Sequence, residues 1–325
     1  MAKFARSGGE ANSIAIRIAR AITGKDKIAV CGYHGWHDWY LSANLTNNEK
    51  LSEHLLPGLN PKGVPKNLKE TVFPFSYNNL EELKKIIDNH PDIGAVKMEV
   101  SRNEKPKEKY LEEIRNITKK NNIILIFDEC TSGFRETFGG LHKKYKVIPD
   151  IAIFGKALGN GYAINAIIGK EHIMRAAEET FISSTFWTER IGPTAALATI
   201  KKHIREDVSS HLNHIGTVYQ ESVSEVANTI GFPLSAKGMP ALTHVDFQCE
   251  DPLAVRGLLT KKMLSRGYLS LNLFYAMYAH TEEHIASYTD SLTEVLEEIM
   301  IAIDAGRVRE LLNDNVPMPG FQRLT

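Results

Sequence analysis

Cysteine is scarce in this chain: three in 325 residues, Cys31, Cys130 and Cys249, far apart and odd in number. They form no CxxC pair and suggest no disulfide framework, so the expected setting is a reducing, cytoplasmic one. Net charge is missing too, with 39 Lys+Arg against 39 Asp+Glu. That balance leaves no footprint for nucleic acid or for an anionic membrane surface. No apolar run approaches the length of a bilayer span, and the first residues do not read as a secretion signal. Internal repeats and low-complexity tracts are absent. What remains is ordinary globular material, 43% hydrophobic and 24% charged, enough for one large or two smaller cores.

The periodicity predicts alternating elements. Apolar residues at 11, 14, 15, 18, 19 and 22 form a helical stripe over 10–23. Helices are also expected over 78–92, 106–122, 171–179 and from about 191 to 205 or beyond. Short apolar runs at 27–30, 93–100, 123–127, 150–154 and 163–169 read as strands. They are apolar on both faces, which indicates a mostly parallel sheet covered by helices. Residues 42–70 are polar, carry three prolines and show no period, and read as a long surface loop. Beyond about 206 the pattern changes: a half-exposed strand at 240–247, a helix over 251–267, and an amphipathic helix over 281–303 with Thr281 as N-cap. This reads as a smaller α+β domain. The boundaries are therefore 1–205 and 206–325.

Five short stretches could carry chemistry. "SGGEAN" puts Gly8 and Gly9 at the start of a helix, where backbone amides and the helix dipole suit a phosphate; a serine-capped glycine turn fits the same residues. "IILIFDEC" places Asp128 at the C-terminal end of a buried strand, where ligands sit in open α/β sheets. Its charge needs a cationic partner, either a protonated ring nitrogen or Arg135, unless it caps the next segment. "IAIFGKALGNGY" sets Lys156 at the mouth of another core strand. A desolvated lysine there is a nucleophile toward carbonyls, whereas a surface lysine would snorkel to water. "CGYHGWHDWY" concentrates aromatic rings with two histidines and an aspartate. It reads as a ring-stacking loop; His34, His37 and Asp38 as metal ligands lack a further partner and a helical frame. "SSTFWTER" offers hydroxyls and aromatics in a capping turn. No GxGxxG follows a first strand, so nothing supports a Rossmann dehydrogenase.

The order of these words resembles the class III (ω-type) aminotransferases of the pyridoxal-phosphate fold type I group, and within it the glutamate-1-semialdehyde 2,1-aminomutase branch. "SGGEA", "YHGWHD", "MEV" with "RNEKP", "FDECTSGFR", "IFGKALGNGYAINAIIG", "STFWTERIGPTAALAT" and "MLSRGYL…YAMYAHTEEHI" carry the likeness, from residue 4 to about 303. The resemblance implies a pyridoxal 5′-phosphate cofactor held as an internal aldimine on Lys156, which also serves as the base. It implies that Asp128 keeps the pyridine nitrogen protonated, that Tyr33 stacks on the ring with Cys130 on its other face, and that Asn103 touches the ring hydroxyl. Gly8 and Gly9 would offer amides to the phosphate. Thr185 would reach the phosphate of a neighbouring subunit, making the protein a homodimer.

The same comparison by words has departures. The family's Gly-Thr is here Gly8-Gly9, and its Glu-Pro is Glu99-Val100. The segment that precedes the phosphate loop in the family, with the aminomutase's carboxylate-binding arginine, does not precede it here. Two functions are therefore expected in competition. One is amino-group transfer, as an aminotransferase or an aminomutase, between small amine and carbonyl compounds. The other is a catalytically impaired protein of the same fold that serves as a partner subunit or a non-enzymatic remnant. Neither involves a metal, a nucleic acid or a membrane.

Overall fold

The computed structural model describes residues 1–47, 50–52, 54, 58–101 and 103–318. The chain forms two compact units, Met1–Ser101 with Pro106–Asp207, and Arg102–Lys105 with Val208–Thr325. Each has its own apolar cluster.

The first unit starts with strand β1 (Ala2–Ala5) and helix α1 (Gly8–Thr23), followed by β2 (Lys27–Cys31) and a single turn, α2 (Asp38–Leu41). Then come β3 (Val72–Pro74), α3 (Leu80–Asn89), β4 (Ile93–Glu99), α4 (Tyr110–Lys120), β5 (Ile124–Glu129), β6 (Ile151–Phe154), β7 (Asn165–Gly169), α5 (Glu171–Met174) and α6 (Ile191–Glu206). The helices begin where short polar side chains close the first turn. Ser7 accepts from the Glu10 amide at the head of α1, and Asn79 accepts from Glu82 at the head of α3. Gly24 ends α1 in the left-handed region, with its amide on the Arg20 carbonyl.

The seven strands lie in the order β1-β7-β6-β5-β4-β2-β3. β3, β2, β4, β5 and β6 run parallel; β7 is antiparallel to β6, and β1 antiparallel to β7. Two reversals bring the end of β1, and so the head of α1, to the rim where β5 and β6 also end. This is the α/β fold with a mostly parallel, helix-covered sheet that the apolar strands imply. All seven residues of β4 are buried, the charged Lys97 and Glu99 among them. α1 covers one face of the sheet, packing Ile14, Ala15, Ile18 and Ala19 into a cluster with Ile126, Ile153 and Ile167.

The described residues of 42–70 are mostly exposed, as a surface loop implies, but the segment has buried anchor points, and residues 48, 49, 53 and 55–57 lie outside the described residues. Ala43 and Leu51 are buried, and Asn44 ties the segment together by donating to the Leu59 carbonyl and accepting from the Leu51 amide. Side-chain hydrogen bonds there replace the periodic pattern that a helix or strand would show.

The second unit contains α7 (Val208–Ile230), β8 (Leu234–Met239), β9 (Leu242–Phe247), α8 (Pro252–Ser265), β10 (Leu273–Tyr275), α9 (Glu282–Asp304) and α10 (Val308–Leu311). Its three strands form an antiparallel sheet, β10-β9-β8. Thr281 caps α9 in a reciprocal capping box with His284. Among the described residues no helix is long and apolar enough to cross a membrane.

Candidate functional site

The rim where β1, β5 and β6 end gathers most of the singled-out residues. Asp128 is the penultimate residue of β5 and is only 4% exposed. Its Oδ2 lies 2.9 Å from His34 Nδ1 and 3.4 Å from Lys97 Nζ, and its Oδ1 accepts from the Cys130 amide at 3.1 Å. Burial works against its charge, but Lys97, the His34 N–H and the Cys130 amide outweigh that and hold the carboxyl well below the usual carboxylate range. Asp128 is thus a buried anion. It does not pair with Arg135, whose Nε donates to the Thr131 carbonyl.

His34 is fully enclosed. Both ring nitrogens face acceptors, Asp128 through Nδ1 and the Cys31 carbonyl through Nε2 at 3.2 Å, which favours the charged ring. Desolvation and the nearby Lys97 charge prevail and hold its pKa down to about 4, so the neutral ring donates from Nδ1 to Asp128. The metal reading of this loop separates in space: His34 is engaged with Asp128, His37 Nδ1 with the Ser13 hydroxyl at 2.7 Å, and Asp38 lies exposed in the first turn of α2. Among the described residues no three such side chains are placed to share a metal.

Lys156 stands two residues past β6. Its φ of +40° is in the left-handed region, which a non-glycine residue occupies only when its surroundings impose it. The side chain is exposed rather than desolvated, because the strand ends before it and the following turn lifts it off the core. Nζ donates to Thr131 Oγ1 at 2.8 Å, three residues past Asp128. The head of α1 approaches the same place: a Cβ on Gly8 would sit 3.7 Å from Cys130 Sγ and 3.9 Å from Asn165 Oδ1. Cys130 Sγ is 3.4 Å from Asn165 Oδ1, and Asn165 Nδ2 holds the Arg6 carbonyl just before the glycine turn. Burial and Asp128 push the Cys130 thiol well above its ordinary pKa, so it stays protonated.

Tyr33 is half-buried. Its amide donates to Glu99 Oε2 at 3.2 Å and its ring meets Tyr40 edge-on. Thr185 begins a short 3₁₀ turn and is exposed, and among the described residues no hydrogen bond of its side chain joins it to the rim. Asn103 is exposed and falls in the segment that groups with the second unit. Three residues here escaped the sequence reading in these roles. Thr131 and Asn165 look like ordinary turn and strand residues. Lys97 carried a signal, a charge inside the apolar run "IGAVKMEV".

Residues 1–296 match the family model for class-III aminotransferases. The chain belongs to that family. A 3-aminobutyryl-CoA aminotransferase of Cloacimonas acidaminovorans is 34% identical over 92% of this chain and 71% of its own length. A 2′-deamino-2′-hydroxyneamine transaminase of Streptomyces kanamyceticus is 29% identical over 90% of this chain and 69% of its own. A glutamate-1-semialdehyde 2,1-aminomutase of Nitrosopumilus maritimus is 35% identical, over 71% of this chain and 56% of its own length. Among solved structures, an omega-transaminase from Sphaerobacter thermophilus superposes with a TM-score of 0.81 at 23% identity, over 91% of this chain and 74% of that one. At that identity the likeness speaks for the fold, which is fold type I.

The cofactor of this class-III aminotransferase is pyridoxal 5′-phosphate. The donor set suits its three functional ends. The first-turn amides of α1, at Gly8 and Gly9, have no acceptor within the helix and suit a phosphate. Gly9 and Gly35 pack closely here: a Cβ on Gly9 would come within 2.9 Å of His37 Nε2, and one on Gly35 within 3.1 Å of the Gly9 Cα. A buried carboxylate suits a protonated ring nitrogen, and a lysine amine on the same rim suits an aldehyde.

Proposed function

We propose that the protein moves amino groups between small amine and carbonyl compounds, with the cofactor held on the rim described above. The observation that carries this reading is the buried, ionised Asp128 at the end of β5 with Lys156 at the end of the adjacent β6. When bound, pyridoxal 5′-phosphate supplies an aldehyde that takes up an amine and a ring that draws electrons from the bond being broken.

In this reading Lys156 is the residue that would hold the cofactor through its amine, and once that amine is free Nζ would carry the proton that leaves and returns to the substrate carbon. Thr131 Oγ1, which accepts from Nζ, orients that amine. Asp128 holds a proton on the ring nitrogen, and His34 holds Asp128 in place through Nδ1. Gly8 and Gly9 offer amides to the phosphate. By the family resemblance Tyr33 and Cys130 would hold the ring between them, and Asn103 would serve its hydroxyl. Thr185 serves the phosphate of the other subunit of a homodimer. The relatives' names, aminotransferase, transaminase and aminomutase, share the movement of an amino group and support this class of reaction. All three cysteines are free thiols, which suits a reducing cytoplasm.

The test is chemical trapping. Borohydride treatment of the cofactor-loaded protein should leave the cofactor on the peptide containing Lys156, and Lys156→Ala should lose both the label and amino transfer while staying folded. A label on another lysine rejects the assignment. Loading without any transfer from a panel of amino donors supports the competing reading, a cofactor-binding remnant or partner subunit.

A further inference from the structure

Lys97 is the fifth residue of β4, a strand buried along its whole length. Its side chain is fully enclosed, and Nζ makes no hydrogen bond among the described residues. At 3.4 Å from Asp128 Oδ2 it has the distance of an ion pair without the geometry of a hydrogen bond. Lysine is rarely enclosed unless paired, and an apolar residue in its place would leave the buried Asp128 carboxylate without its nearest full positive charge. Something other than packing is served by the charge.

The surroundings name the counter-charge. Glu99, on the same face of β4, accepts from the Tyr33 amide. Asp128 comes from β5, and Cys130, a protonated thiol, follows the end of that strand. The loop after β2 contributes His34, neutral and donating to the same Oδ2, with His54 behind it accepting from the Gly32 amide. The buried face of α1 brings one polar residue, Asn12, and no charge. Burial pushes the Lys97 ammonium down from its ordinary pKa, and Asp128 is the first influence opposing that. Lys97 therefore depends on Asp128 for its charge, and Asp128 depends on Lys97 for its own.

Resting on the cofactor reading above, we infer that Lys97 is a positioning residue that competes with the cofactor's ring nitrogen for the charge of Asp128. Two cations then share one carboxylate. The ring nitrogen gives up its proton more readily than it would beside Asp128 alone, and the electron-drawing power of the ring is moderated. Lys97 acts through Asp128 and touches no reacting atom.

The experiment reads the ring nitrogen itself. The purified protein is loaded with pyridoxal 5′-phosphate carrying nitrogen-15 in the ring, and the nitrogen resonance is followed against pH for wild type, Lys97→Met and Lys97→Leu. Removing the ammonium should raise the pH at which the ring nitrogen loses its proton by about one unit or more, a tenfold change in proton affinity, as expected for a like charge withdrawn from a poorly screened site. It should also tighten cofactor binding. An unchanged midpoint in variants that fold and load overturns the inference while leaving the proposed function standing. If neither variant folds, wild type decides: a ring nitrogen that stays protonated beyond about pH 10, near the ordinary lysine value, overturns it. A wild-type protein that takes up no cofactor removes both readings.

Discussion

Asp128 divides its two oxygens between partners: Oδ2 faces His34 and Lys97, while Oδ1 takes the Cys130 amide. Asp128→Asn keeps the shape and removes the charge. We expect at least about a hundredfold loss in the rate of amino transfer, roughly 3 kcal/mol of transition-state stabilisation, measured in single-turnover reactions with a saturating donor; a near-normal rate would leave Asp128 as a structural cap. His34 gives a pH prediction. Its folded pKa of about 4 lies below the ordinary 6.5, so the unfolded chain takes up this proton first as pH falls. The stability contributed by the neutral ring is complete above about 6.5 and is lost on the way down to about 4, on the order of 3 kcal/mol. Urea unfolding of wild type should show that decline, and His34→Asn should show a shallower one; parallel slopes would contradict it. Asp128 drew notice in the sequence because a charge at the end of an apolar strand needs partners, and the structure supplies them, whereas Lys156, read there as desolvated, is exposed. The bond from His34 to Asp128 was not legible, because it joins residues 94 apart and no local pattern encodes it.

At the scale of elements, the cap made the start of α9 legible at Thr281, whereas α1 starts at Gly8 rather than at the expected residue 10, with Ser7 closing its first turn. The strands β1, β3, β8 and β10 went unread. β3 and β10 have three residues each, too few to display a period, and β1, β3, β8 and β10 all lie at the edges of their sheets. α7 hid because its helical stripe, Leu212, Ile215, Tyr219, Val223 and Val226, continues that of α6 past Asp207, which breaks the run with a φ of +44°. The turn between β6 and β7 carries the prediction at this scale. Gly155 packs so closely on Asn165 that a Cβ there would overlap Asn165 Oδ1. Gly155→Ala should displace Asn165, release the Arg6 carbonyl and loosen the glycine turn at the head of α1. We expect at least about a tenfold weaker cofactor affinity, near 1.4 kcal/mol, with the fold retained. Equilibrium titration with the cofactor checks this, and unchanged affinity would show that Asn165 does not support the turn.

For the whole molecule, the proposed homodimer has a surface to account for. Leu197 and Ile204 on α6, seven residues apart and so on one helix face, are 51% and 69% exposed, and Phe4, Ile148 and Ile168 line an apolar hollow with Ala196 and Ile200 of the same helix. Sedimentation equilibrium should give twice the chain mass at micromolar concentration, and Leu197→Glu with Ile204→Lys should reduce it to one; a wild-type monomer would reject the dimer. One feature of the sheet also governs when the site is born. Ala2 lies opposite Ile168, and the register continues to Ala5 opposite Asn165. A strand at the very front of the described chain thus waits for a partner translated roughly 160 residues later, and at ~5–20 residues per second that is a delay of about ten to thirty seconds. During it the head of α1 has no anchor at Asn165. In the proposed site the glycine turn at the head of α1 is translated before Asp128 and Lys156 yet is anchored after them, so cofactor capture would wait at least until β7 has emerged.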